Sequence, residues 1–214
     1  MNIRLHHAPQ TRSMRTLWLL HELGVPFEVV EWPFDKTLRS AEFLALNPVG
    51  RVPALEINGR TLWETGAITE YLCECFPGDL GRAPGHAERA DWLIWLHFSE
   101  TLSQHTAALT QQHVALYDDS MRSPIVMKLE AARVGKCYAA LEDALTGDYL
   151  LSDFSAVDIS VGQAAYMARH FVHMDEFPNL AAWYARITER TAFQKALPGD
   201  GAKLYQKPFY EAWT

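Results

Sequence analysis

The run that decides the fold is residues 47–72, "NPVGRVPALEINGRTLWETGAITEYL". Inside it, "ALEI" (54–57) and "TLW" (61–63) flank Asn58–Gly59. That dipeptide readily takes the positive φ angles of a two-residue turn, so the segment reads as a β-hairpin. Thr65 then reads as the cap of a helix through "GAITEYLCECF", which Pro77–Gly78 ends. Pro53 raises a question, because at the mouth of a strand it has no N–H to give to a ladder. Either it is a plain strand start, or the chain presents backbone there to something other than its own sheet.

Working outward, "IRL" (3–5) reads as a strand and is followed by the loop "HHAPQT". Ser13 is placed to cap a helix through "MRTLWLLHEL", with Gly24 at its end and Pro26 beyond. "FEVVEW" (27–32) is a second strand, and Ser40 opens the short helix "AEFLAL", which stops before Asn47–Pro48. The order is βαβ, a short helix, then ββα. A helical crossover between the first two strands requires them to run parallel.

From "GDLGRAPG" (78–85) the character changes. That stretch reads as a linker. Beyond it, the run from His86 to Asp119 holds no Gly or Pro and carries helical spacing. Ser123–Pro124 opens a second long helix, to about Leu145. "FSAVDISVGQAAYMARHF" forms a third, where Ser155 and Asp158 stand three apart in the manner of a capping box. "NLAAWYARITER" and "AFQKAL" follow. The expected organisation is an α/β domain at 1–78, a linker at 79–86 and an all-helical domain at 87–214.

Among 214 residues, 49% are hydrophobic and 21% charged, ordinary values for a globular chain. A net charge of −7 leaves no basic footprint for nucleic acid. No apolar run approaches the ~20 residues of a membrane span, and the first residues lack the apolar centre of a signal peptide. Three cysteines, Cys73, Cys75 and Cys137, are an odd count without framework spacing, which favours a reducing cytoplasm. Cys73 and Cys75 are two apart on a helix and face different ways. His97, His105 and His113 drift ~80° around the helix at each step, so no shared face makes a metal site. No metal is expected.

The βαβ–ββα order carrying "NPVGRVPAL" and "WETGAITEYL", followed by helices with "FSAVDIS", resembles the cytosolic glutathione S-transferase superfamily over essentially the whole chain. The N-terminal "PQTRSMRTLWLLHEL" is similar to the bacterial, theta-like, serine-type branch; the region after the first strand, His6–His7–Ala8, has no tyrosine. The resemblance implies a thioredoxin-like first domain that binds glutathione and a helical domain that borders a small hydrophobic electrophile. It also implies a cytoplasmic homodimer.

Residue by residue, the resemblance makes Pro53 a cis residue and turns the backbone of Val52 toward the cysteinyl part of glutathione, like an added strand. Glu64 and Thr65, at a helix start, hold the γ-glutamyl group. Arg51 is the candidate for the glycyl carboxylate. Thr11 falls at the catalytic serine position of "P-x-S-R", and Ser13 is the second candidate hydroxyl, although it reads first as a helix cap. Arg12 stands where cysteine-type relatives carry the cysteine, which disfavours mixed-disulfide chemistry. A thiol of pKa ~8.5 made about a hundredfold more acidic needs ~2.7 kcal/mol of thiolate stabilisation. A hydroxyl donor beside a helix N-terminus supplies energy of that order. His105, Gln112 and Tyr117 are candidates for lining the electrophile pocket. A glutathione-dependent peroxidase or dehalogenase would use the same site. The rival from another class is a non-enzymatic binding module or ligand carrier on the same fold.

Overall fold

In the computed structural model, which describes residues 2–202, 204, 205 and 207–210, the first strand β1 (Ile3–His7) runs parallel to β2 (Glu28–Glu31). Helix α1 (Ser13–Leu23) makes the crossover between them. Its apolar residues Met14, Leu17, Trp18, Leu19 and Leu20 are all buried, and it ends where Gly24 takes φ +64°. A single 3₁₀ turn (Lys36–Arg39) precedes α2 (Ala41–Leu46), whose cap Ser40 accepts the Phe43 N–H as expected. Strand β3 (Ala54–Ile57) lies antiparallel to β1, and β4 (Arg60–Trp63) antiparallel to β3. The hairpin turns on Asn58 and Gly59, at φ +52° and +75°. Helix α3 (Thr65–Cys75) completes the motif, and the sheet order is β2-β1-β3-β4.

Two expected caps are corrected. Arg12 holds the N-cap position of α1 and Glu64 that of α3, neither with a side-chain capping bond. Ser13 and Thr65 are instead the first helical residues, and their hydroxyls are used for bonds elsewhere, described below.

The remaining helices are α4 (Arg89–Thr110), α5 (Pro124–Ala144), α6 (Ala156–Ala168), α7 (Pro178–Thr188) and α8 (Thr191–Ala196). The long run expected after His86 stops being α-helical at Thr110 and widens into a π turn, Gln111–Ala115. Gln112 Oε1 accepts the Ser123 N–H at 2.7 Å, which ties that turn to the start of α5. Helix α6 is buried on every side, as a helix without a polar face must be. It packs against α4 and α7, and α4 also packs against α5.

By compactness the chain divides into one unit of Met1–Ala83 with Glu189–Ala202, and another of Pro84–Thr188 with the described residues that follow 203. The short helix α8 therefore groups with α1, not with the helices preceding it. Phe193 meets Trp18 edge-on at 4.8 Å, and Arg190 grips Glu22 through two bonds of 2.7 and 2.8 Å. The expected boundary had assigned residues 189–202 to the helical domain.

The expected capping pair of α6 is a hub. Asp158 is fully buried, and Oδ2 accepts the Ser155 N–H at 2.9 Å. Oδ1 accepts the Leu150 N–H at 3.0 Å and Trp183 Nε1–H at 2.9 Å. Burial pushes its carboxyl pKa upward, against the pull of these donors. Asp158→Ala strands three buried donors and is expected to destabilise the protein by about 3 kcal/mol or more. Urea unfolding should show a lowered midpoint at unchanged slope.

Candidate functional site

The site is built from three loops of the first unit. The first joins β1 to α1. Strand alternation puts Ile3, Leu5 and His7 on one face, and His7 ends the strand with its ring turned toward the start of α1. Ser13 Oγ lies 2.7 Å from His7 Nδ1 and 2.8 Å from Thr11 Oγ1, and accepts the Ala8 N–H at 3.1 Å. Thr11 Oγ1 accepts the Ser13 N–H at 3.2 Å and donates to the Ala8 carbonyl at 2.8 Å. Gln10, at φ +57°, makes the bend that folds this loop back on itself. Burial pushes the His7 imidazole pKa down to about 4, so the ring is neutral near pH 7.

The second loop is the opening stretch of the chain's deciding segment. Asn47 is buried, and its amide braces the loop twice: Nδ2 donates to the Arg51 carbonyl at 2.6 Å, and Oδ1 accepts the Val49 N–H at 3.0 Å. Gly50 takes φ +68°, and a Cβ there would sit 2.8 Å from the Leu38 carbonyl oxygen. Only glycine meets both conditions. The loop delivers a cis Val52–Pro53 peptide bond. The β1–β3 ladder has its last pair at His6 and Ala54, so Val52 lies just beyond it. The side chain of Val52 is buried with Ala8, Leu38 and Phe43, while Arg51 stays exposed.

The third element is the start of α3. Glu64 is exposed and takes φ +74°, a conformation that L side chains adopt rarely and that clusters at functional sites. The N-cap residue Glu64 makes no side-chain capping bond to α3, and the first turn holds no acidic residue. Thr65 is buried, and its Oγ1 accepts from Nη1 of Arg15 at 2.7 Å. Arg15 is itself fully buried, two residues after Ser13 on α1. It therefore links the hydroxyl loop to the α3 N-terminus.

Residues 1–74 match the family model "Glutathione S-transferase, N-terminal domain", and residues 107–186 match "Glutathione S-transferase, C-terminal domain". Glutathione S-transferase F6 of Arabidopsis thaliana is 31% identical over 202 residues, covering 89% of this chain and 96% of that protein. The chain belongs to the glutathione S-transferase family. Glutathione S-transferase F13 of the same plant is 29% identical over 199 residues, 86% of this chain and 90% of that protein. Among solved structures, a sphingomonad glutathione S-transferase complexed with glutathione is 29% identical with a TM-score of 0.76, over 91% of this chain and 96% of that one. The fold expected for this family, a thioredoxin-like domain followed by a helical one, is the fold observed. The function is that of a glutathione transferase with glutathione as co-substrate, and the non-enzymatic module is not favoured.

Of the site residues expected for this glutathione transferase, the structure brings Thr11 and Ser13 together and ties their helix to Thr65. The helical candidates have contacts of their own. His105 Nδ1 is 2.7 Å from Glu130 Oε2, Gln112 is spent on the start of α5, and Tyr117 is 90% exposed. Cys73, Cys75 and Cys137 form no disulfide, and burial pushes the Cys137 thiol up to about 11. No cluster of three or more metal-ligating side chains occurs among the described residues. Of the C-terminal segment "LYQKPFYEAWT", residues 206 and 211–214 lie outside the described residues. Of the remainder, Tyr205 bonds Thr110 through its hydroxyl at 2.7 Å and stacks on His170.

Two residues of the site escaped sequence reasoning. Arg15 looks like an ordinary helix cation, yet it stands within the apolar run Met14–Leu20, and a charge there signals a buried partner. His7 read only as loop.

The unfolded chain takes up a proton at the His7 position near pH 6.5, whereas the folded chain resists until about 4. The unfolded state thus binds more protons in that window, and stability must fall as pH drops through it. The expected loss from this group is about 3 kcal/mol by pH 4. Half-buried His170, also lowered to about 4 by desolvation, adds in the same direction. Denaturant unfolding between pH 7 and 4 should show the decline, with a shallower slope in His7→Asn.

Proposed function

We propose that glutathione lies extended across the three loops of the first unit. The Val52 backbone pairs with the cysteinyl amide, and the γ-glutamyl carboxylate sits at the α3 N-terminus against Thr65. Glu64 accepts from the γ-glutamyl ammonium, and Arg51 faces the glycyl carboxylate. The thiol falls at the Thr11–Ser13 hydroxyls. There a donated hydrogen bond stabilises the thiolate, and the protein removes no proton itself.

The observation that carries this reading is the Arg15–Thr65 bond, which sets the hydroxyl loop and the uncapped α3 start on one side of the sheet domain. With a guanidinium on one of its lone pairs, the Thr65 hydroxyl is fixed in orientation beside the helix start. The positive φ of Glu64 fits a carboxylate held out from the helix toward an ammonium group. The sphingomonad relative, whose structure contains glutathione, supports the choice of peptide.

The second substrate is a small hydrophobic electrophile, attacked by the positioned thiolate. A homodimer in a reducing cytoplasm accords with family habit and with three cysteines that form no disulfide.

Calorimetry with reduced glutathione tests the site. Wild type should give saturable binding, and Glu64→Ala should weaken it by about tenfold or more, the loss of one charge-assisted hydrogen bond. Wild type without saturable heat, or Glu64→Ala binding as tightly as wild type, overturns the assignment.

A further inference from the structure

The β1–α1 loop contains more polar organisation than one hydroxyl donor needs. Thr11 and Ser13 are not alternatives, because their oxygens are 2.8 Å apart and bonded to each other. They differ in access: Thr11 keeps 8% of its surface, whereas Ser13 keeps none. Only Thr11 can touch a ligand. Ser13 and the histidine behind it have to act through it.

Resting on the proposed glutathione site, we propose that His7, Ser13 and Thr11 form one directed hydrogen-bond chain that ends at the bound sulfur. Thr11 is the catalytic residue, and Ser13 and His7 are positioning residues.

The lone pairs decide the direction. Ser13 Oγ accepts the Ala8 N–H at 3.1 Å, and His7 Nδ1 at 2.7 Å supplies a second donor if its proton is on Nδ1. Both lone pairs are then filled, and of the two acceptors within reach of the Ser13 proton, Thr11 Oγ1 at 2.8 Å is nearer than the Ala8 carbonyl at 3.2 Å, which the Thr11 hydroxyl already occupies. Thr11 Oγ1 also accepts the Ser13 N–H at 3.2 Å, so its two lone pairs are filled as well. Its own proton has to leave the pair. In the structure it rests on the Ala8 carbonyl at 2.8 Å, and a bound thiolate would draw it away. Each donor in such a chain polarises the next, which strengthens the last bond. The opposite tautomer would draw the Ser13 proton toward His7 and the Thr11 proton toward Ser13, away from any ligand. The neutral ring favoured by burial supplies one N–H and cannot flood the loop with charge. No proton changes owner along the chain; the thiol proton is lost to solvent.

The first measurement is the ¹⁵N spectrum of the wild-type histidines with glutathione bound. It should show His7 neutral and protonated at Nδ1; protonation at Nε2 overturns the proposal without reference to any variant. The second is the thiolate absorbance titration of bound glutathione. Thr11→Ala should abolish the acid shift of the thiol, and Thr11→Ser should keep it. Ser13→Ala and His7→Leu should each lose part of it, with kcat falling roughly threefold to tenfold and glutathione KM little changed. His7→Asn, whose amide reaches the Nδ1 position with an N–H, should restore the shift. A His7→Leu protein with a wild-type titration, or no rescue by asparagine in a folded protein, refutes the chain. Wild type that fails to bind glutathione in calorimetry refutes the site itself, and wild type that binds without a shifted thiol refutes the chain alone.

Discussion

The contact on which the site depends is a buried guanidinium. Arg15 enters from the first turn of α1, is shut off from solvent, and donates to the hydroxyl that begins α3. Burying such a cation is costly, and the cost is met only where its N–H groups find acceptors. One acceptor is Thr65, so this bond ties the two helix N-termini together with directional geometry that apolar packing alone does not supply. Two donor-rich helix starts held side by side form a natural seat for an anionic peptide.

The two units use buried polar groups for opposite ends. Around Asp158 the donors converge on a carboxylate that has no surface, and every bond closes inside the helical unit. Its business is to hold α6, α7 and the segment before α6 in register. Around Ser13 the bonds converge equally densely, but Thr11, at the end of the network, keeps some exposed surface. A network that closes on itself stabilises; a network with one end open can orient that end toward a ligand.

Much of the fold could be read directly. The Asn58–Gly59 hairpin, the Gly24 stop, the Ser40 and Ser123 caps and the Ser155–Asp158 pair all fell where turn and capping chemistry placed them. The cis Val52–Pro53 bond followed from the family resemblance. The failures have a common cause. Ser13 and Thr65 carry cap-type side chains at cap-like positions, but tertiary partners, His7 and Arg15, claimed their hydroxyls. Local propensity cannot see a competitor fifty residues away. Glu64 at positive φ was equally hidden, since nothing in glutamate's own chemistry prefers it.

By itself the sequence determined the order of elements and the turns, because spacing and side-chain type act within a few residues; the candidate glutathione contacts came from the family resemblance instead. Which hydroxyl faces outward, which arginine is buried, and that α8 packs beside α1 were decided only by the tertiary structure. Each of those outcomes depends on which partners burial brings together, and burial is a property of the folded chain as a whole.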